Sequence, residues 1–215
     1  PSSTTSSRTR RRGQRPTRRR RASALALALS RSPALPLQVA GLVEINVNST
    51  TWMTKIVLGD ADWEGKPIGD GMLKRRRGAI VNTSSAAGRQ VSPLLAGYSG
   101  AKGFVVMFSK SLNAELAPKG IHVQVQTPLY VTTKLAKIRK TSLSVPSPEA
   151  YVRWAAAHIG YEAAISPYWS HALQLWVADL LPAPVAIAFV GSMHHGIRKA
   201  GIKKEAKKRA EAKAD

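Results

Sequence analysis

A chain of 215 residues, 44% of them hydrophobic, is long enough to bury one substantial core. Without a single cysteine it can build neither a disulfide framework nor a thiolate metal site. Its formal net charge of +21 would point to nucleic acid if it were spread over a folded surface. Instead, residues 1–33 hold ten arginines and no acid, and residues 198–215 hold eight Lys/Arg against three acids, so the basicity belongs mainly to the two ends and argues against a nucleic-acid partner.

Residues 1–38 run through Ser/Thr, two arginine clusters and an alternating Ala/Leu stretch. Such a segment buries too little apolar surface to offset chain entropy, so a disordered Arg/Ser-rich tail is expected. Three readings of it stay open: a solvated tail, an organelle transit-like segment, and a phosphate-binding arm. The start at Pro1 without Met leads us to expect a fragment. From Val39 to Leu58 the apolar residues Leu42, Ile45, Met53, Ile56 and Val57 recur at turn-like spacing, which predicts a helix with Asn46 inside it. Residues 59–70, GDADWEGKPIGD, read as a polar, Gly-rich loop.

Ala79–Thr83 is a short strand, followed by a Ser/Gly-rich loop from Ser84 to Ala96. The next helix is predicted from about Gly97 to Leu116, with Phe104, Val105, Phe108, Leu112 and Leu116 on its buried face, and Pro118-Lys119-Gly120 stops it. Ile121–Gln126 alternates apolar and polar and completes a strand–helix–strand unit, which requires a parallel pair. Farther on, Ser147 is a candidate N-cap and Pro148 the first residue of a helix reaching about Ile159.

Ala172–Met193 is mostly apolar, but Asp179, Pro182 and Pro184 interrupt it. A segment that lies on or dips into a membrane is therefore expected over 169–193, rather than a clean span. The basic tail 194–215 suits an anionic, cytoplasmic lipid surface. His194-His195 lacks a third candidate ligand nearby, so no metal is assigned.

The chemistry gathers between Gly78 and Lys102. Tyr98 and Lys102, four apart on one helix, share a face. Ser85 stands where the preceding strand ends, the position at which open α/β sheets place their ligands. A phenol with an ordinary pKa near ~10 is a poor acid at neutral pH, and a cation beside it favours the phenolate. A hydroxyl, a phenol and an ammonium meeting at one strand end form a proton-handling group.

Ser85, the Tyr98-x-x-x-Lys102 pair and Asn46 upstream resemble the catalytic tetrad of the short-chain dehydrogenase/reductase superfamily. The words GMLKRRRGAIVN, AELAPKGIHVQVQTPLYVTTKLAKIRK, SPEAYVRWAAAHIGYEA and SPYWSHAL look like its plant very-long-chain 3-oxoacyl-CoA reductases, kin of 17β-hydroxysteroid dehydrogenase type 12. The resemblance covers roughly Val39 to Ala200. It implies an α/β fold, the C-terminal part of a Rossmann-like doubly wound parallel sheet with the first βαβ units missing, and a partial reductase domain over 39–168 in which 59–70 is an atypical insert.

For the site, the resemblance implies Tyr98 as general acid, Ser85 as hydrogen-bond donor to the carbonyl oxygen, Lys102 on the ribose of the cofactor, and Asn46 holding a water that links Lys102 to solvent. Val131 and Thr133, in the loop after Pro128, would close over the nicotinamide of NADPH, and Lys134–Lys140 would form a solvated lid or meet CoA or cofactor phosphates. It further implies an acyl-CoA substrate, the cytoplasmic face of the endoplasmic reticulum membrane, and other fatty-acid elongation enzymes as partners. A hydroxysteroid dehydrogenase would use the same tetrad, and a non-catalytic remnant or basic binding protein is the reading from a different class.

One departure from the family pattern decides an expectation. The Gly-rich phosphate turn, Thr-Gly-x-x-x-Gly-x-Gly, and the Asn-Asn-Ala-Gly word do not occur in the 215 residues. This chain is therefore expected to hold NADPH weakly and to turn over slowly; titration calorimetry should give a dissociation constant weaker than micromolar, and a micromolar or tighter value would refute the expectation.

Overall fold

A computed structural model of the chain describes residues 40–211 except 60, 61, 63, 67, 68, 134–137 and 139. The expected disordered tail over 1–38, and most of the basic segment Lys134–Lys140, lie outside the described residues. The chain divides into two units, Pro1–Ala40 and Gly41–Asp215, and the described residues belong, Ala40 apart, to the second.

The predicted strand–helix–strand unit is the centre of the fold. Strand β1 (Gly78–Thr83) pairs in parallel with β2 (Ile121–Gln126), in register from Gly78 opposite Ile121 to Thr83 opposite Gln126. A short β3 (Ala164–Ile165) adds to the other side of β2, opposite Val125 and Gln126, giving a three-stranded parallel sheet of order β1-β2-β3. Ile121, Val123 and Val125 are fully buried, and each such side chain contributes about 1.5–3 kcal/mol. Leu58, Leu116, Ile121 and Val123 form the core cluster, with Met72, Leu73, Ile80 and Leu112 packed against it.

The alternation in β2 does not divide core from solvent. Gln124 and Gln126 are buried on the second face, where Gln124 donates to the carbonyls of His158 and Glu162 and Gln126 to that of Ala155. Buried amides survive only when bonded, so the polar positions of this strand fasten the segment Ala155–Glu162 to the sheet.

The helices that follow the sequence are α1 (Ser49–Leu58), a short α2 (Met72–Arg75), α3 (Ala96–Leu116), α4 (Pro148–Ala157), α5 (Trp169–Leu180) and α6 (Ala183–Glu211). Ser147 caps α4 as expected, its Oγ accepting from the Ala150 N–H at 3.2 Å with Pro148 in the first turn. One burial expectation fails. In α3 the buried stripe is Ala101, Val105, Ser109 and Leu116, whereas Phe104 and Phe108 stack on each other at 5.4 Å and Phe104 is exposed. Before α1, a π-helical turn (Glu44–Asn48) widens the helix, shifts the spacing, and leaves Ile45 and Met53 exposed while Thr54 and Leu58 are buried.

The Gly-rich insert closes on itself. A Cβ built on Gly71 would stand 2.2 Å from the backbone of Gly59, so only two glycines let the loop's ends meet so closely. Inside it, Asp62 Oδ1 accepts from the backbone N–H groups of Glu64 and Lys66. The apolar run breaks at Leu181–Pro182 into α5 and α6, and α6 continues through the basic residues to Glu211 instead of ending at a separate tail. Among the described residues no helix is long and apolar enough to cross a membrane.

Candidate active site

The site lies at the carboxyl ends of β1 and β2. Leaving β1, the chain turns over Ser84 and Ser85 into a single 3-10 turn (Ala86–Gly88) that rests on the first turns of α3. Buried Ser84 donates from Oγ to the Lys102 carbonyl at 2.7 Å, and its N–H donates to the Gln126 carbonyl at 2.8 Å. Ser99 Oγ donates to the Ala87 carbonyl. A Cβ on Gly88 would lie 2.6 Å from the Lys102 carbonyl carbon and oxygen, so the turn and the helix touch backbone to backbone. These contacts bring the turn bearing Ser85 against the helix bearing Tyr98 and Lys102.

Within that assembly, Ser85 Oγ accepts from the Ala87 N–H at 3.3 Å, which leaves its hydroxyl proton for another acceptor. Lys102 Nζ donates to the Thr83 carbonyl at 3.1 Å and stands 6.0 Å from the centre of the Tyr98 ring. Burial holds the Lys102 ammonium below the ordinary lysine range. Asn46 sits in the middle of the π-helical turn, which packs against α3, and its Nδ2 donates to the Leu42 carbonyl at 3.0 Å. Single π turns recur at functional sites, and this one explains why an asparagine is found inside the helix.

The loop after Pro128 closes the other side. The Ala86 N–H donates to the Pro128 carbonyl at 3.0 Å, joining the loops that follow β1 and β2. Val131 is half-buried and Thr133 exposed on this loop. Tyr130, which sequence reasoning passed over, stands on the same loop: burial first, and the charge of an ionised Tyr98 second, push its phenol above the ordinary value. It lines a cavity of about 340 Å³ with Leu94, Leu95, Ile197, His194 and Arg198. That volume lies within the range of small-ligand sites.

Three further residues missed in the sequence tie α5 and α6 to these loops. Asp179 accepts from Arg89 Nη2 and Gln90 Nε2, each at 3.1 Å, beside a second cleft of about 490 Å³ flanked by Trp154, Trp169 and Trp176. His194 donates from Nδ1 to the Pro93 carbonyl at 2.8 Å. His171 engages Leu129 and Tyr130. The one legible signal was that polar residues interrupted an apolar segment. Among the described residues no group of three or more His, Cys, Asp or Glu could hold a metal ion.

A strand-end Ser, a Tyr/Lys pair on the crossover helix of a parallel sheet, and a second strand-end loop bonded to the Ser85 turn form the pattern of a short-chain dehydrogenase. Residues 35–143, about half of the chain, match the short chain dehydrogenase family, and the chain belongs to it. It is 38% identical over 177 residues to a very-long-chain 3-oxoacyl-CoA reductase of Anas platyrhynchos, covering 82% of this chain and 53% of that one. It is also 43% identical over 147 residues to a very-long-chain 3-oxoacyl-CoA reductase-like protein of Arabidopsis thaliana, covering 66% and 44%. The chain thus spans about half the length of these curated relatives. A solved short-chain dehydrogenase from Sphingobium yanoikuyae in complex with NADPH shares the fold, with a TM-score of 0.53 at 24% identity over 70% of this chain and 55% of that one.

The backbone contact at Gly88 gives a direct check. Gly88→Ala must push the Ser85 turn off Lys102, an overpacking that costs about 1–3 kcal/mol. Because a shift of about 1 Å at such a site can cost ~10²-fold in rate, the loss of turnover should exceed what the lowered melting temperature explains. Unchanged melting and unchanged reduction together would show that the contact does not set the site.

Proposed function

We propose that this chain carries the proton-handling part of an NADPH-dependent reductase that converts very-long-chain 3-oxoacyl-CoA to the 3-hydroxyacyl-CoA in fatty-acid elongation. The observation that carries the reading is the lock between the Ser85 turn and α3, with Lys102 Nζ placed between the Thr83 carbonyl and the Tyr98 ring. The names of the similar proteins supply the substrate class. The cavity walled by Leu94, Leu95, Tyr130 and Ile197 is suited to an apolar acyl chain.

The residues present fit the nicotinamide–ribose end of the cofactor: a partly buried ammonium at the end of β1 and the Pro128 loop facing it across the Ala86–Pro128 hydrogen bond. No Gly-rich turn for the pyrophosphate stands in the 215 residues. When bound, NADPH supplies the hydride that goes to the substrate's carbonyl carbon. Ser85, keeping its proton, donates a hydrogen bond to the carbonyl oxygen as negative charge grows there. Tyr98 gives that oxygen its phenolic proton, and Lys102 steadies the phenolate left behind. Asn46, its Nδ2 engaged by Leu42, would hold through its side-chain oxygen the water that returns a proton toward Lys102. Val131 and Thr133 would cover the nicotinamide.

Membrane attachment on the cytoplasmic face of the endoplasmic reticulum is supported by the exposed apolar residues of α5 and α6. Trp176 is 60% exposed, Leu180 64% and Phe189 68%, and the basic residues Arg198, Lys199 and Lys203 follow. Helices of this kind lie in the interface rather than across it.

At millimolar NADPH, which offsets a weak cofactor grip, Tyr98→Phe should lower reduction of a 3-oxoacyl-CoA by about 10²–10⁴-fold. Near-full activity of the folded variant would remove Tyr98 from the role of acid. Flotation with anionic vesicles should carry the chain upward, and a Trp176→Ser, Phe189→Ser double variant should stay behind; equal flotation of the two would place membrane attachment elsewhere.

A further inference from the structure

His171 has no exposed surface, yet both nitrogens of its ring are bonded. The Leu129 N–H points at Nδ1 from 3.3 Å, and Nε2 lies 3.2 Å from the Tyr130 carbonyl. A backbone N–H can only donate and a carbonyl can only accept. One protonation state satisfies both: a neutral ring with its proton on Nε2 and a bare Nδ1. An imidazolium would set a second N–H against that of Leu129 and bury a charge as well.

The surroundings support the neutral ring. Tyr168 meets it edge-on at 5.1 Å and Tyr151 on α4 stands 6.0 Å away, both measured between ring centres. Those phenols and Tyr130 are the titratable side chains that face it. Tyr151 Oη is itself buried without a hydrogen-bond partner among the described residues, and burial pushes that phenol up to about 12. Burial likewise lowers the His171 pKa, against the opposing pull of the Ser144 and Tyr130 backbones.

We propose that His171 is a positioning residue: through its two ring nitrogens it fixes the Leu129–Tyr130 backbone to α5, and so sets the Tyr130 phenol as a wall of the cavity it lines with Leu94, Leu95 and Ile197. A histidine present only to fill space would leave its nitrogens indifferent to tautomer and could be replaced by an apolar ring. The arrangement instead uses one donor and one acceptor at the spacing of consecutive backbone groups. The loop it holds also carries Val131 and Thr133, and its far end is tied back where Thr132 bonds the Pro146 carbonyl at 3.0 Å from N and 3.2 Å from Oγ1.

Because the consequence rests on the proposed acyl-CoA reading of that cavity, the test is chosen to need no turnover. In the full chain labelled with ¹⁵N-histidine, long-range proton–nitrogen correlations at neutral pH should show His171 neutral with its proton on Nε2. A proton on Nδ1, or a charged ring, would overturn the assignment without any variant. Calorimetry with stearoyl-CoA forms the second arm. His171→Phe should weaken binding about tenfold, the loss of roughly one net hydrogen bond. His171→Asn, whose amide can still accept from the Leu129 N–H, should recover part of that loss. Equal affinity of the folded Phe variant and the wild type would overturn the positioning role. If the wild type binds no stearoyl-CoA at all, the acyl-CoA reading fails and with it the cavity-wall role, whereas the tautomer arm still judges the tie to the loop.

Discussion

Everything in the site depends on one short backbone contact, the seat of the Ala86–Gly88 turn on Lys102 and Gly103. A side chain at residue 88 would hold the two apart, and glycine there lets Ser84 reach the Lys102 carbonyl. That carbonyl belongs to the residue whose ammonium, at the other end of its side chain, bonds the Thr83 carbonyl at the end of β1. Strand end, turn and helix are thus closed into one ring of bonds around Lys102. Leaving the buried Ser84 hydroxyl without its partner would cost about 1–3 kcal/mol, which makes the turn stiff where the chemistry needs it.

A second shell holds the first from outside. The apolar stretch that forms α5 and most of α6 contains three polar residues that look misplaced in the sequence, and each reaches a loop of the site. Asp179 takes Arg89 and Gln90 of the segment after Ser85, His171 takes Leu129 and Tyr130, and His194 takes Pro93. Their exposure sorts their strength. The Arg89–Asp179 pair is open to water, so its contribution is modest. His171 is shut away from solvent, so its bonds cannot be exchanged for water and carry more of the specificity.

The sequence showed the parallel unit and the Ser85, Tyr98 and Lys102 positions because those depend on local pattern: β-branched runs, a helix stop at Pro118-Lys119-Gly120, and an i, i+4 pair. It misjudged what depends on long-range packing. The turn-like spacing of Ile45 and Met53 predicted a helix, but it did not reveal the π-helical turn around Asn46 or that both residues are exposed, because a widened turn leaves no mark in hydrophobic spacing. Gln124 and Gln126 looked like the wet side of a strand, but that face is covered by the segment from Ala155 to Glu162, which begins about thirty residues later. Tyr130 and His171 were invisible for the same reason: their partners lie on other elements, and neither sits in a spacing that announces chemistry.

The distribution of these bonds also separates two tasks that the fold performs. Proton delivery is proposed to use Ser85, Tyr98 and Lys102, all carried by β1, its following turn and α3. The grip on the far end of a dinucleotide needs a Gly-rich turn at the amino end of a helix, where free N–H groups and the helix dipole meet phosphate. The chain has no such turn, and the helices present start otherwise: α3 has no side-chain cap, while Ser147 closes the start of α4. Chemistry and cofactor affinity are therefore set by different parts of the fold. A cofactor supplied at high concentration would meet a formed acid site in this chain, which is why weak binding and a specific loss on removing the Tyr98 hydroxyl are compatible expectations.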